Sequence, residues 1–251
     1  MGPPAWDAAE AAAAEAGVTL RPLTTLDDAD DILRVMIATW GNHQLLPREM
    51  LVALAEAGDA PYGAFADGEL IGYVLGWAGV LPQDGLHMHS HMLATVPDRR
   101  HRGVGYALKL AQRARCLEQG IHIVRWTFDP MIARNAWLNL GKLGALADGF
   151  HRDFYGQMDD AINTGERSDR LVVRWELDRD PGPRAAPPDS AVVEIPRDHE
   201  TLRRDDPAAA AAGRDDVAER IEALLARGMV VAAFDPAVAA YIFTPRDRVP
   251  A

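Results

Sequence analysis

Residues 86–119 read LHMHSHMLATVPDRRHRGVGYALKLAQRARCLEQ and place a strand pattern, a glycine-containing turn and a helix pattern in direct succession. Every second residue of the first part is expected on one face of a β-strand, namely His87, His89, His91 and Leu93. Pro97 ends the strand, because proline has no N–H to donate to a neighbouring strand. The apolar residues after Gly103 recur at helical spacing. The segment therefore predicts a strand, a short turn and an amphipathic helix.

The turn itself runs Arg100-His101-Arg102-Gly103-Val104-Gly105. Its two glycines let the main chain approach a ligand closely, and the first N–H groups of a helix have no partner within it. These N–H groups and the positive end of the helix dipole favour a phosphate. The spacing fits neither a dinucleotide fingerprint, which would need glycine at residue 108, nor a Walker A loop. We therefore expect an R-x-x-G-x-G phosphate loop, with an ordinary basic turn as the alternative.

The segment LATVPDRRHRGVGYALKLA, residues 93–111, resembles the signature of the GNAT superfamily of CoA-dependent N-acyltransferases. In that family the loop binds the CoA pyrophosphate. Similarity to a subgroup of predicted acetyltransferases extends over HSHMLATVP, WTFDPMIARNAWLNLGKLGA, FYGQM and SDRLVVRWEL, within about residues 18–178. Some members of this subgroup are associated with N-acylation of amino acids, including succinyl transfer. The resemblance implies a mixed, largely antiparallel sheet flanked by helices, with acetyl-CoA or another acyl-CoA as co-substrate.

The resemblance also implies which residues hold the acyl-CoA. In the family the CoA arm lies beside the strand that corresponds to Leu93–Thr95, and the N–H of Leu93 is implied as donor to the thioester oxygen. Asn135, near the start of a later helix, is implied as a contact of the pantetheine arm, with a helix-turn role as the alternative. The implied cofactor-binding residues are Leu93, Thr95, Arg100, His101, Arg102, Gly103, Val104, Gly105 and Asn135.

His89 lies four residues before Leu93, where several family members place a carboxylate that takes a proton from the amine. Histidine suits this task, because its reference pKa is about 6.5. We expect His89 as the catalytic base, with His91 as its assistant on the same strand face. Two alternatives stay open: the histidines pack as structural residues, or they bind a metal ion together with His87. Since no carboxylate at a fixed spacing completes a familiar ligand set, we predict no catalytic metal.

Many family members protonate the departing thiolate with a tyrosine on the helix after the next strand. Aligning Ala136 and Gly144 with that helix puts Leu140 at the tyrosine position, and leucine has no proton to give. The general acid is then water or another group, with Tyr155 as a side-chain candidate. The missing tyrosine also favours an alternative function, a non-catalytic CoA-binding sensor or scaffold.

Composition and charge narrow the class of protein. With 251 residues, 48% of them hydrophobic, the chain can bury a full core, and its net charge of -11 argues against general nucleic-acid binding. A single cysteine, Cys116, excludes an intramolecular disulfide. No apolar run reaches the roughly 18 residues that span a bilayer, and no signal sequence is recognisable. We expect a cytoplasmic enzyme, a small-molecule amine as its acceptor, no nucleic-acid or membrane partner, and a homodimer as one option.

Periodicity and turn residues predict alternating helices and strands. Helices are expected over residues 4–16, 26–39, 46–57, 103–119, 133–143 and 198–227, the last interrupted near Gly213. Strands are expected over residues 18–22, 61–66, 69–80, 86–95, 121–128, 170–177, 229–234 and 238–243.

The stretch DPGPRAAPPDS, residues 180–190, is rich in proline and glycine and predicts a linker. We therefore expect an α/β (α+β) acyltransferase core with an N-terminal helix over residues 1–179. Residues 191–251 form an expected helical and β-hairpin extension. About 60 residues make a poor independent core, so this extension should dock on the main domain or on a second subunit.

Overall fold

The computed structural model describes residues 3–42, 45–99, 103–158, 160, 165–185 and 187–249. Its α-helices are α1 (Pro3–Ala16), α2 (Leu26–Trp40), α3 (Arg48–Glu56), α4 (Val104–Glu118), α5 (Ala133–Ala136), α6 (His199–Asp205) and α7 (Pro207–Ala226). Its strands are β1 (Thr19–Pro22), β2 (Tyr62–Ala66), β3 (Glu69–Leu81), β4 (Gly85–Thr95), β5 (Ile123–Phe128), β6 (Leu146–His151), β7 (Arg170–Glu176), β8 (Ala191–Glu194), β9 (Met229–Asp235) and β10 (Ala240–Pro245). The predicted mixed α/β class with a largely antiparallel sheet is confirmed.

The chain divides into two compact units. The first comprises Met1–Val124 with Asp159–Thr164, and the second comprises Arg125–Met158 with Gly165–Ala251. These units do not coincide with the predicted domains 1–179 and 191–251. The predicted boundary at residues 180–190 concerns which part of the chain can fold alone, so it stays a prediction.

The first unit is built on four antiparallel strands in the order β1-β2-β3-β4. The β2–β3 hairpin turns at Asp67 and Gly68, whose φ angles of 53° and 84° fit the tight turn that this dipeptide favours. α2 covers one sheet face, where Tyr73 and Leu75 of β3 join its buried apolar residues. α4 packs on the other sheet face and is itself covered by α1. The phosphate-loop helix is therefore held between the sheet and the N-terminal helix.

The pairing of β3 with β4 contains one irregularity that decides where the site residues point. Leu75 lies opposite Met92 and Gly76 lies opposite Ser90, so the intervening His91 is an extra residue on β4. Such a β-bulge shifts the alternation of side chains by one position. His89 lies opposite Trp77, two positions along β3 from Leu75, whereas Leu93 lies opposite Val74 on the other face. The prediction that Leu93 shares a face with His87 and His89 is therefore wrong.

The second unit contains most of β5 and a strand order of β5-β7-β6-β9-β10-β8. β6 and β8 were not predicted, and β6 lies beside both β7 and β9. The C-terminal strands thus extend the sheet of this unit. Its helical region breaks at Asp206 and Pro207, not near Gly213, because Asp206 caps α7 by accepting from the N–H of Ala209 at 2.9 Å.

The predicted helix 133–143 is present with a change of winding. α5 covers its first turn, and Trp137–Lys142 continues it as a π-helix. Within this segment Gly141 allows the Trp137 ring to pack against the main chain, since a Cβ there would lie 2.0 Å from a ring atom. No helix in the described part of the chain has the length and apolar character needed to cross a lipid bilayer.

Candidate functional site

The start of α4 has the features of an anion-binding helix end. Its N-cap is Gly103, whose φ of 86° lies in the left-handed region that glycine adopts without steric cost. Within the described residues no side chain caps this end, and the first turn carries no acidic residue. The N–H groups of Tyr106 and Ala107 donate to the Gly103 carbonyl at 3.0 Å each. Those of Val104 and Gly105 have no carbonyl behind them within the helix and can bind a ligand.

The structure describes only part of the predicted loop. Arg100, His101 and Arg102 lie outside the described residues. Val104 is 1% exposed and anchors the helix start in the core of the first unit. Gly103 lies beside the end of α1, because a Cβ built on it would lie 3.6 Å from the Cβ of Ala16.

Three rings of β3 and β4 form a cluster next to the bulge. The Trp77 ring centroid lies 5.0 Å from that of His89 and 4.8 Å from that of His91, and the two imidazoles are 5.8 Å apart. The two predicted catalytic histidines therefore lie together. Trp77 was not among the predicted site residues, because its alternating strand position is equally typical of a core residue.

The histidines of this cluster are held neutral at pH 7. Burial, with smaller contributions from the charges of His91, His87 and Lys109, lowers the pKa of His89 to about 4. His91 is exposed at the surface, and the partial burial of its ring also lowers its pKa. A neutral imidazole keeps a lone pair that can accept a proton, so either ring can act as a base at neutral pH.

His87 is placed differently from the other two histidines. It is 5% exposed, its Nδ1 lies 3.3 Å from the Gly85 carbonyl oxygen, and its ring lies over Gly79 near the β3–β4 turn. Among the described residues, no three His, Cys, Asp or Glu side chains form a group that could hold a metal ion. The prediction of a metal-free reaction stays a prediction.

A buried lysine that the sequence did not single out lies on the other face of β4. Lys109 of α4 donates from Nζ to Ser90 Oγ at 2.7 Å and to Gln112 Oε1 at 3.2 Å. Burial lowers the pKa of Lys109 to about 7. Because Ser90 immediately precedes the bulged residue, this contact ties α4 to the part of β4 that carries His89 and His91.

The predicted thioester contact lies just beyond the bulge. Leu93 is half-buried opposite Val74, and Thr95 lies opposite Gly72. A bulge interrupts the ladder of main-chain hydrogen bonds and releases groups of the bulged strand for other partners. The bulged residue is His91, two positions before Leu93, and the main-chain donor role of Leu93 stays a prediction.

The other predicted residues lie in the second unit. Asn135 is half-buried in α5, and its main-chain N–H donates to the Ile132 carbonyl at 3.0 Å. Leu140 is fully buried in the π-helical segment. The Tyr155 hydroxyl lies 3.3 Å from Thr127 Oγ1, and its ring is 44% exposed. Tyr155 is thus an accessible hydroxyl, whereas Leu140 is a core residue.

Comparison with known proteins gives a family match and several similar folds. Residues 29–141 match the model of the Acetyltransferase (GNAT) family. No curated protein sequence matches the chain. The fold resembles the ribosomal-protein-S18-alanine N-acetyltransferase from Escherichia coli, with a TM-score of 0.50, 15% identity, and coverage of 68% of this chain and 97% of that chain.

Two further solved structures have a similar fold. Naa20 of Chaetomium thermophilum in complex with a bisubstrate analogue has a TM-score of 0.50 and 17% identity, over 65% of this chain and 88% of that chain. A GNAT-like decarboxylase in complex with isobutyryl-CoA has a TM-score of 0.50 and 15% identity, over 63% of this chain and 99% of that chain. At these identities the comparisons show a shared fold.

Proposed function

We propose that this chain transfers an acyl group from acyl-CoA to the amine of a small molecule, because residues 29–141 match the model of the Acetyltransferase (GNAT) family. The donor is acetyl-CoA or succinyl-CoA, and an amino acid is the acceptor that the sequence resemblance favours. The single observation that supports this proposal most is the uncapped start of α4, with its glycine N-cap and its acid-free first turn.

In the proposed complex the start of α4 binds the CoA pyrophosphate. The main-chain N–H groups of Val104 and Gly105 donate to the phosphate oxygens, Arg100 and Arg102 supply positive charge, and His101 is a further proposed contact of the pyrophosphate. Leu93 donates its N–H to the thioester oxygen beside Thr95. The sequence resemblance implies a contact between Asn135 and the pantetheine arm, which stays a prediction.

The proposed reaction is a direct attack in a ternary complex. The amine nitrogen forms a bond to the thioester carbon while His89 removes its proton, and the carbon–sulfur bond then breaks. Because the pKa of His89 is about 4, its protonated form is short-lived at neutral pH and passes the proton on to water. The departing CoA thiolate takes a proton from water, since Leu140 offers none.

The buried Leu140 favours one alternative, a CoA-binding sensor or scaffold without turnover. Thiol release measured with acetyl-CoA and succinyl-CoA against a panel of amines separates the two. The enzyme releases CoA only when an amine is present, and H89Q loses about 10²- to 10⁴-fold in kcat with the KM for acyl-CoA unchanged. H87Q is the matched control, because His87 lies outside the ring cluster.

Binding of CoA without turnover on any donor and amine would favour the sensor. A protein that binds no CoA would contradict both functions. We also propose a cytoplasmic location. A homodimer is one option for the assembly, and size-exclusion chromatography tests it.

A further inference from the structure

A cavity lies on the face of the first unit's sheet that α4 covers. It opens to solvent between the C-terminal half of α4, the segment before β2 and the strands β2, β3 and β4, and its volume including the mouth is about 310 Å³. Its apolar wall consists of Val74, Gly76, Met88 and Cys116. The residues that line it belong to the first unit. The volume is at the lower end of the range that small-molecule sites occupy.

This cavity is separate from the site of the proposed acyl transfer. Gly76 lies opposite Ser90, whereas Trp77 and His89 lie opposite each other and face the other side of the sheet. Along α4, Arg115 lies roughly 16 Å from Val104, at about 1.5 Å of rise per residue. A ligand in the cavity therefore lies away from both the start of α4 and the ring cluster.

Gln119, the C-cap residue of α4, brings an acceptor without a donor to the cavity. Its Nε2 donates to the Gly58 carbonyl oxygen at 2.9 Å. This bond fixes the orientation of the amide, because the reverse orientation would place two oxygen atoms against each other. Oε1 is buried, and within the described residues it accepts no hydrogen bond. Since such an acceptor is unfavourable, a ligand that donates a hydrogen bond to it is stabilised here.

Two opposite charges, those of Asp59 and Arg115, flank the apolar wall. Asp59 Oδ2 accepts from the N–H of Ala78 at 3.0 Å, so that Oδ1 can accept from a ligand. Burial raises the pKa of the Cys116 thiol to about 12, with smaller contributions from the charges of Lys109, Asp59 and Arg115. Both the carboxylate and the guanidinium are therefore close enough to act on a group in the wall.

The guanidinium of Arg115 keeps most of its N–H groups for a ligand. Its Nη1 lies 3.4 Å from Glu118 Oε2, which is a long hydrogen bond, and the side chain is 40% exposed. The other oxygen of Glu118 accepts from Trp6 Nε1 at 2.6 Å. Gln112 lines the same cavity and offers a further donor, Nε2, because its Oε1 accepts from Lys109.

We infer that this cavity binds a small zwitterion, a free α-amino acid, as a second ligand of the protein. The carboxylate of the amino acid binds Arg115 and Gln112 Nε2, and its ammonium group donates to Asp59 and Gln119 Oε1. Its side chain lies against Met88. A ligand with one charge would leave the opposite charge of the cavity without a partner, so a zwitterion fits better than a simple amine or anion. The inference does not rest on the proposed function.

Calorimetric titration of the full chain in the absence of CoA tests the inference, with glycine, L-alanine, L-valine and L-methionine as probes. We expect at least one of them to bind. The analogues of that amino acid without the amino group and without the carboxyl group should each bind about ten-fold or more weakly, because each loses a charge-assisted contact.

Two variants locate the bound amino acid. R115Q removes the guanidinium, and Q119M removes the acceptor at Oε1. We expect each to raise the dissociation constant of the amino acid about ten-fold or more. R34Q is the matched control, because Arg34 is likewise half-exposed and lies 3.1 Å from an acidic residue three positions away, Asp31. This control should bind the amino acid as the wild type does.

Three results would overturn the inference. The first is that none of the four amino acids binds at millimolar concentration. The second is that an analogue with one charge binds as tightly as the amino acid, which indicates a simple ion site. The third is an unchanged affinity in both R115Q and Q119M, which places the amino acid elsewhere on the protein. Because CoA is absent from these titrations, none of the three results bears on the proposed acyl transfer.

Discussion

At the scale of single residues, the protonation state of His89 controls the proposed chemistry. The base must be neutral to accept a proton, and its pKa of about 4 keeps it neutral well below pH 6.5. We expect kcat/KM for the amine, corrected for the ionisation of the amine itself, to stay constant from about pH 8 to pH 5 and to fall below that. If kcat/KM already falls on acidification at pH 6.5 or above, the pKa of His89 is not lowered and this prediction is contradicted.

Lys109 provides a stability prediction at the same scale. Its pKa is lowered from 10.5 to about 7 in the folded protein, so between these values the unfolded chain binds more protons and stability rises with pH. The variant K109M lacks this dependence. Between pH 7 and pH 9 we therefore expect the free energy of unfolding of the wild type to rise by about 2 to 3 kcal/mol relative to that of K109M.

Chemical denaturation at several pH values checks the Lys109 prediction. K109M also loses the hydrogen bonds to Ser90 and Gln112. This loss changes the difference in unfolding free energy between the two proteins by the same amount at every pH, so it leaves the pH dependence of that difference unchanged. A difference that does not vary with pH would show that Lys109 keeps its charge in the folded state.

The sequence predicted some of these residues and missed others for identifiable reasons. The alternation of β4 indicated that His89 and His91 share surroundings. It could not indicate the bulge at His91, because one extra residue leaves no mark on composition. Lys109 was missed because a lysine on a helix is ordinarily exposed, and only the packing of α4 between α1 and the sheet buries it.

At the scale of elements, the start of α4 is the feature to test. G105E adds bulk and a negative charge where the pyrophosphate is proposed to bind. A glutamate in the first turn is favourable to the helix dipole, so the helix itself should persist. We expect the dissociation constant of CoA to rise about 100-fold, because two like charges would then be opposed.

G213E is the matched control for this variant. Gly213 is also a helical glycine, and a Cβ built on it meets open space. G213E should bind CoA normally. Equal CoA affinity in the two variants would contradict the assignment of the loop.

Elements with strong local signals were predicted well. α2 begins where residues 26–39 predict a helix, and Thr25 caps it by accepting from the N–H of Asp28 in a capping box. The break of the C-terminal helix was placed near Gly213, but alanine-rich flanks carry the helix through that residue. The sequence LADGFH did not predict β6, because it contains Asp148 and Gly149, which are rare in strands. This segment is a strand because it pairs with β7 on one side and β9 on the other.

At the scale of the whole molecule, the proline-rich segment 180–190 offers a test of how the chain is partitioned. We expect a protease cut there to leave the two fragments associated, because β9 lies beside β6 and residues 129–134 bind α6, α7 and β10. Size-exclusion chromatography of the nicked protein checks this. Fragments that separate without denaturant would contradict this expectation and show that residues 191–251 form an independent domain.

The most direct test of the account is a crystal structure of the protein with CoA bound. We expect the pyrophosphate oxygens within hydrogen-bond distance of the main-chain N–H groups of Val104 and Gly105, and the CoA sulfur near the bulge of β4. A diphosphate bound elsewhere, with the start of α4 covered by protein atoms or occupied by a group without phosphate, would contradict the proposed acyl transfer.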